Sequence, residues 1–268
     1  MPGTERTHVV VAGWFSFPDG EATAGDVGAA EAVGAALDRA GIAYRTAWSP
    51  AMRPGGPTLR EAASPAPGHL VFTCGPLVGR QVRDLHRLFR ASVRLAVGVS
   101  VPDPDDPAVL GFHRVLARDA PDGDAPPRPD LCARPVPRRA VPVVGVTPAP
   151  EQREYGPRRA HGAVHRALGT WLAGQDCAPV PLDTRLDPRD WRHCATTGQF
   201  DALVRRLDAV VTTRLHGLVL ALRNGVPALA VDPVAGGAKV AAQGHALGWP
   251  VLTVDTPRRG PPPAELDR

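Results

Sequence analysis

Lysine is almost missing from this sequence: of 31 basic residues 30 are arginine, and the one lysine is Lys239. Aromatic residues make up only 5%, and no stripe of basic residues interleaved with aromatics runs along the chain. That removes the pattern of a single-strand nucleic-acid groove, where bases stack on rings above a cationic track. A formal charge of +4 does not restore it, since the arginines stand singly or in pairs such as Arg138-Arg139 and Arg205-Arg206, with acids spread among them. Arginine, alanine, proline and glycine are abundant together, the mark of a GC-rich coding sequence rather than of a basic face. Nucleic acid is not an expected partner; a small anionic substrate is.

Cysteine is scarce as well. Cys74, Cys132, Cys177 and Cys194 lie far apart with no CxxC pair, which argues against a zinc site and against a dense disulfide framework. Reduced, mostly buried thiols are expected, and no metal-ligand cluster is visible. No apolar run approaches the ~18 residues needed to span a bilayer, so no membrane span is expected. Residues 1–12 lack the basic start and long apolar stretch of a secretion signal, so the expected location is cytoplasmic.

What is present is ample apolar material, 43% of 268 residues, enough for one large domain or two modest ones. Short apolar runs alternate with helical patterns, the signature of repeated β-α units and parallel sheets. Strands are expected at 8–13, 42–48, 69–74, 93–101 and 115–118, with helices at 26–40 and 79–89 and a surface loop at 49–68. Residues 119–142 hold seven prolines, each lacking an amide hydrogen and clashing with the preceding helical turn, and read as a linker. The same grammar then restarts, with strands at 141–146, 178–182, 208–213 and 226–231. Its helices are expected at 159–173, 197–207, 216–223 and 238–247, the second with Phe200, Leu203, Val204 and Leu207 on one face. The expected organisation is an α/β lobe over 1–120, a linker over 121–140, a second α/β lobe over 141–255 and a flexible, proline-rich tail over 256–268. The fold class is two Rossmann-like lobes facing a cleft, with ligands beyond the carboxyl ends of the strands.

The chemistry concentrates between Asp208 and Asp232. An apolar strand ends at Thr212-Thr213, and Arg214, Leu215 and His216 open a helix. This puts an arginine and a histidine at a strand's carboxyl end beside a helix N-terminus, whose free amides and dipole favour an anion. Arginine offers a planar fork matched to phosphate or carboxylate, and histidine exchanges a proton near neutrality. Lys239 follows the next strand at the start of another helix, as a point charge that could face the same cleft. Each has a plain alternative: a packed or capping histidine, a surface arginine in an ion pair, a lysine there by chance.

This segment resembles the polysaccharide pyruvyl transferase family, in which an apolar strand leads into Arg-Leu-His-Gly, a short helix, Gly-x-Pro, a second strand and a lysine. Here those features are Val210–Gly217, Gly225-Val226-Pro227 and Lys239. Weaker echoes are Gly13-Trp14-Phe15 with Ala24-Gly25-Asp26, then Leu116–Asp119 and Arg128-Pro129-Asp130. The resemblance implies a fold similar to two-lobed GT-B glycosyltransferases. It also implies phosphoenolpyruvate as donor, a sugar hydroxyl pair as acceptor, a pyruvate ketal as product and no cofactor. It assigns Arg214 and Lys239 to the donor's anionic groups, with Gly217 and Thr213 beside them, and His216 to acid/base work or a phosphate contact. On the acceptor side it points to Asp26, whose plain alternative is a helix N-cap, and to Gly75 in Cys74-Gly75-Pro76, the one glycine where the family has several. Two rival functions stay open: a glycosyltransferase using a nucleotide sugar, and a non-catalytic anion-binding protein. Oligomeric state is not legible.

Overall fold

The computed structural model describes residues 9–18, 21–119 and 126–267. The chain divides after Arg138 into two compact units, each an α/β unit around a five-stranded parallel sheet.

In the first unit β1 (Val9–Ala12), α1 (Ala24–Arg39), β2 (Tyr44–Thr46), α2 (Leu59–Ala62), β3 (His69–Thr73), α3 (Gly79–Leu88), β4 (Val93–Ser100), α4 (Pro107–Leu110) and β5 (Arg114–Asp119) follow one another. The sheet order is β2-β1-β3-β4-β5. The chain leaves β1 for one side of the sheet and returns to β3 on the other, so the order reverses between these two strands. β1 reads as an unbroken apolar run because both its faces are covered, as parallel strands between helices require. Val10 and Ala12 pack with Leu70, Phe72, Leu85 and Phe89, and Val9 and Val11 with Ala29, Ala30 and Val71.

The second unit runs through β6 (Val143–Thr147), α5 (His161–Ala173), β7 (Ala178–Pro181), α6 (Thr197–Val204), β8 (Ala209–Thr212), α7 (Leu215–Arg223), β9 (Ala228–Val231), α8 (Lys239–Leu247), β10 (Val251–Leu252) and α9 (Pro263–Leu266). Its order is β10-β9-β8-β6-β7, and the reversal falls between β6 and β8. Val210 packs with Leu218, Ala221, Ala228 and Val240 on one face, and Val211 with Val164, Leu168, Val231 and Leu266 on the other. In open α/β sheets, ligands sit beyond the carboxyl ends of strands at such reversals.

Several expectations are corrected. The stretch 49–68 is not all loop: Thr58 and Glu61 form a capping box that starts α2. A further helix, α4, opens on Pro107 behind an Asp106 cap. Part of the supposed linker belongs to the first unit: Asp130 pairs with Arg118, and Leu131 and Cys132 lie against Gly98 and Gly28. Residues 120–125 fall outside the described residues. In the tail, proline suits the first turn of a helix, where an amide hydrogen would have no partner anyway. Pro263 accordingly opens α9, which buries Leu266, and Trp171 donates to Asp267 at 2.8 Å. On α6, Phe200 and Val204 are buried but Leu203 is exposed. All four thiols are free, and only Cys74 is buried. Among the described residues no helix is long and apolar enough to cross a membrane.

Helix α7 lies unusually close to its sheet. A Cβ on Gly217 would fall 2.2 Å from Thr212 Oγ1 and 2.7 Å from Thr147 Cγ2, inside contact distance of two buried strand residues. Gly217→Ala is therefore expected to lower stability by about 1–3 kcal/mol through forced separation of α7 from β8, as read by urea unfolding. An unchanged midpoint would show that the helix can shift freely.

Candidate functional site

Both sheet reversals open into cavities. In the second unit a cavity of about 450 Å³ is lined by Thr213, Arg214, Leu215 and His216 after β8, and by Lys239 after β9. Residues after β6 (Ala149, Pro150, Gln152) and after β7 (Thr184, Arg185) complete the wall. Among the described residues three arginine or lysine side chains and no carboxylate line it, so its field favours an anion.

The turn from β8 into α7 is built by threonine hydroxyls. Thr212 Oγ1 donates toward the Thr147 and Arg214 carbonyls, at 3.2 Å each, and accepts the Arg214 amide at 2.9 Å. Thr213 Oγ1 accepts the Ala149 amide at 2.8 Å. Both threonines are 1% exposed, so these bonds are shielded from competing water. They leave Arg214 in extended conformation as the N-cap of α7, and no side chain caps that helix. The free amides of its first turn are thus available beside the cavity.

Arg214 is already paired. Its Nη1 bonds to Asp183 and, at 2.9 Å, to Thr184 Oγ1. Among the described residues neither Nε nor Nη2 has a hydrogen bond, so part of the fork remains for a ligand. Burial pushes the Asp183 carboxyl up, but the Arg185 amide and the Arg214 charge outweigh it and hold the group below the usual carboxylate range. His216 and Lys239 are exposed on the first turns of α7 and α8. The Lys239 ammonium sits 5.9 Å from the Tyr155 ring centroid. Gly217 does not line the cavity; it is buried behind it, where its missing side chain admits Thr212.

Sequence reasoning missed three contributors. Arg185 lines the cavity and meets His193 at 2.7 Å, and Asp183 anchors Arg214. Asp232, fully buried at the end of β9, accepts the amides of Val234, Ala238 and Ala241 at 3.1, 2.7 and 2.9 Å. It thereby fixes where α8 starts and where Lys239 sits. Each of the three lies just beyond an expected strand's carboxyl end, the rule that singled out Arg214, but Asp183 and Arg185 stand among the further charges Asp187, Arg189, Asp190 and Arg192.

In the first unit Asp26 and Gly75 share a cavity of about 360 Å³ with Trp14, Thr23 and Pro76, at the β1/β3 reversal. Asp26 is not the N-cap but its partner: Thr23 caps α1, and Asp26 Oδ2 accepts the Thr23 amide and hydroxyl at 3.0 and 2.8 Å. Gly75 has φ +68°, and a Cβ there would strike Trp14 at 2.2 Å. Cys74 just before it holds φ +61°, so the turn keeps a glycine-like backbone without a second glycine. Burial, with Asp26 adding, pushes the Cys74 thiol well up, so it stays protonated. Among the described residues no group of three or more His, Cys, Asp or Glu could hold a metal ion.

Asp183 generates a prediction. Its folded value lies below the ordinary ~3.9 of the unfolded chain, so its stabilisation is present above that pH and is lost as pH falls through the lowered value. Urea unfolding of the parent and Asp183→Asn is expected to show a gap at neutral pH that narrows as the pH falls below the ordinary ~3.9 of a carboxyl. A gap independent of pH would mean that packing, not charge, connects Asp183 to Arg214.

No curated protein matches this chain. Over residues 192–233, which carry α6, β8, Arg214, His216, α7 and β9, it matches the model of the polysaccharide pyruvyl transferase family.

Proposed function

We propose that the chain is a cytoplasmic pyruvyl transferase-like enzyme on a scaffold similar to GT-B glycosyltransferases, moving the enolpyruvyl group of phosphoenolpyruvate onto two sugar hydroxyls. The product would be a pyruvate ketal on a glycan or metabolite precursor. The observation that carries this reading is the cavity at the β6/β8 reversal, where Arg185, Arg214, Lys239 and His216 converge with no carboxylate in the lining. The family match over residues 192–233 supports it.

The donor bears a phosphate and a carboxylate, and the cavity offers matching groups. Arg214 would use its unbonded Nε and Nη2 as a fork, the first turn of α7 its amides, and Lys239 a movable charge. Protonation of the donor's methylene carbon leaves an oxocarbenium-like centre at the neighbouring carbon. One sugar hydroxyl attacks that centre and releases its proton. A second hydroxyl then displaces phosphate, and its proton leaves with it. The sum is one donor and one diol giving a ketal and inorganic phosphate. His216 would supply and take back the proton or hold the phosphate. In the first unit Asp26, and Gly75 through the open turn it permits, would face the acceptor.

Thermal unfolding with phosphoenolpyruvate, inorganic phosphate and a UDP-sugar tests this. A ligand at a hundredfold excess over its Kd adds about 2.7 kcal/mol. Stabilisation by phosphoenolpyruvate is expected in the parent, absent in Arg214→Ala and weakened about tenfold in affinity in Lys239→Ala. Lys239 is exposed and has no ion pair among the described residues, so its loss tests binding without threatening the fold. Stabilisation by the UDP-sugar alone would overturn the donor assignment in favour of a glycosyltransferase. Phosphoenolpyruvate binding with no product from any acceptor would favour the non-catalytic alternative.

A further inference from the structure

Behind the cavity in the second unit lie two histidines that the sequence reading did not use. His165 on α5 brings its Nε2 to 3.1 Å from Thr213 Oγ1. One turn earlier, His161 is 1% exposed, and neither of its ring nitrogens has a hydrogen-bond partner. The two rings meet at right angles, with centroids 6.1 Å apart. Burial, with the neighbouring histidine adding, pulls His165 below the ordinary imidazole range, so at neutral pH it carries one ring proton.

A threonine hydroxyl has one proton and two lone pairs. The Ala149 amide fills one lone pair of Thr213 Oγ1, and the tautomer of His165 decides the rest. A bare Nε2 would accept the hydroxyl's hydrogen bond and leave Thr213 no donor to offer the cavity it lines. A protonated Nε2 would instead fill the second lone pair and leave the hydroxyl proton free. An anion in the cavity needs donors and selects the second arrangement.

We propose that His165 is a positioning residue: its Nε2–H and the Ala149 amide together saturate the Thr213 oxygen and turn the Thr213 hydroxyl into a donor for the phosphate or carboxylate of a bound anion. This rests on the anion-binding reading above. It assigns a role to a side chain outside the matched segment and makes Thr213 a directed donor rather than a passive wall.

Nitrogen-15 spectra of histidine-labelled protein, with His165 assigned by its loss in His165→Gln, report the tautomer directly. With saturating inorganic phosphate the proton is expected on Nε2; a proton on Nδ1 would overturn the proposal. Binding of phosphoenolpyruvate supplies the second readout. Thr213→Val is expected to weaken it about tenfold and His165→Phe by less, and the double variant no more than Thr213→Val alone, since His165 acts only by orienting the Thr213 hydroxyl. Thr213→Ser and His165→Gln, which keep the hydroxyl and a donor near the Nε2 position, are expected to restore most of the affinity. Additive losses, or equal losses in His165→Gln and His165→Phe, would reduce His165 to packing and overturn the assignment alone. Failure of the parent protein to bind either anion would overturn the anion reading with it. Should His165→Phe not fold, the tautomer in the unsubstituted chain still decides.

Discussion

Thr212 and Thr213 each tie their hydroxyl oxygen to a backbone amide where β6, β8 and α7 meet, and the cavity's geometry descends from those bonds. In a dry interior each such bond contributes roughly 1 kcal/mol, but the directional consequence is larger than the energy. Thr212 holds the Arg214 amide and carbonyl, so the helix can begin only at Leu215, and Arg214 leaves the strand end with its fork beside the cavity. Thr213 holds the loop after β6 against the loop after β8 and closes the cavity floor. Gly217 is the counterpart on the helix: the threonine hydroxyl occupies the space where a side chain would stand.

Around this joint the unit uses its acids to place its bases. Asp183 pairs with Arg214, and Asp232 gathers three amides to set the first residue of α8. Neither acid lines the cavity, so the cations are held from behind while the exposed wall stays positive. Similar logic operates in the first unit, where Asp26 and Thr23 satisfy each other at the start of α1. Asp26 is therefore engaged in the cap through one oxygen and is also met by the Cys74 thiol.

Much of the architecture was legible because parallel strands buried on both faces leave unbroken apolar runs, as at Val9–Ala12 and residues 143–146, and amphipathic helices separate them. What misled was proline. Residues 119–142 and 256–268 looked structureless, yet the residues around Leu131 pack on the first unit, and Pro263 starts a helix instead of ending one. Leu203 satisfied the helical period but remains exposed, while Phe200 and Val204 on the same helix are buried. At the site, Arg214, His216 and Lys239 could be read from their places after strands. Asp183 and Arg185 could not, since they follow an expected strand but stand in a charged run with Asp187, Arg189, Asp190 and Arg192 that gives no reason to single them out. His161 and His165 look like ordinary helix residues in sequence; only the tertiary contact with Thr213 gives one of them a partner.

The two helices that open at the cavity differ in what they leave unfilled. Asp232 already occupies the start of α8, so that helix contributes a tethered charge on a flexible stem and little oriented dipole. The start of α7 has no such internal occupant. An anion there would meet one rigid, directional seat and one mobile counter-charge. Orientation and retention would then be separable properties: the seat fixes which way a ligand points, and the stem can follow a charged group as it moves away. A chain with a single lysine has placed it where following matters more than fit.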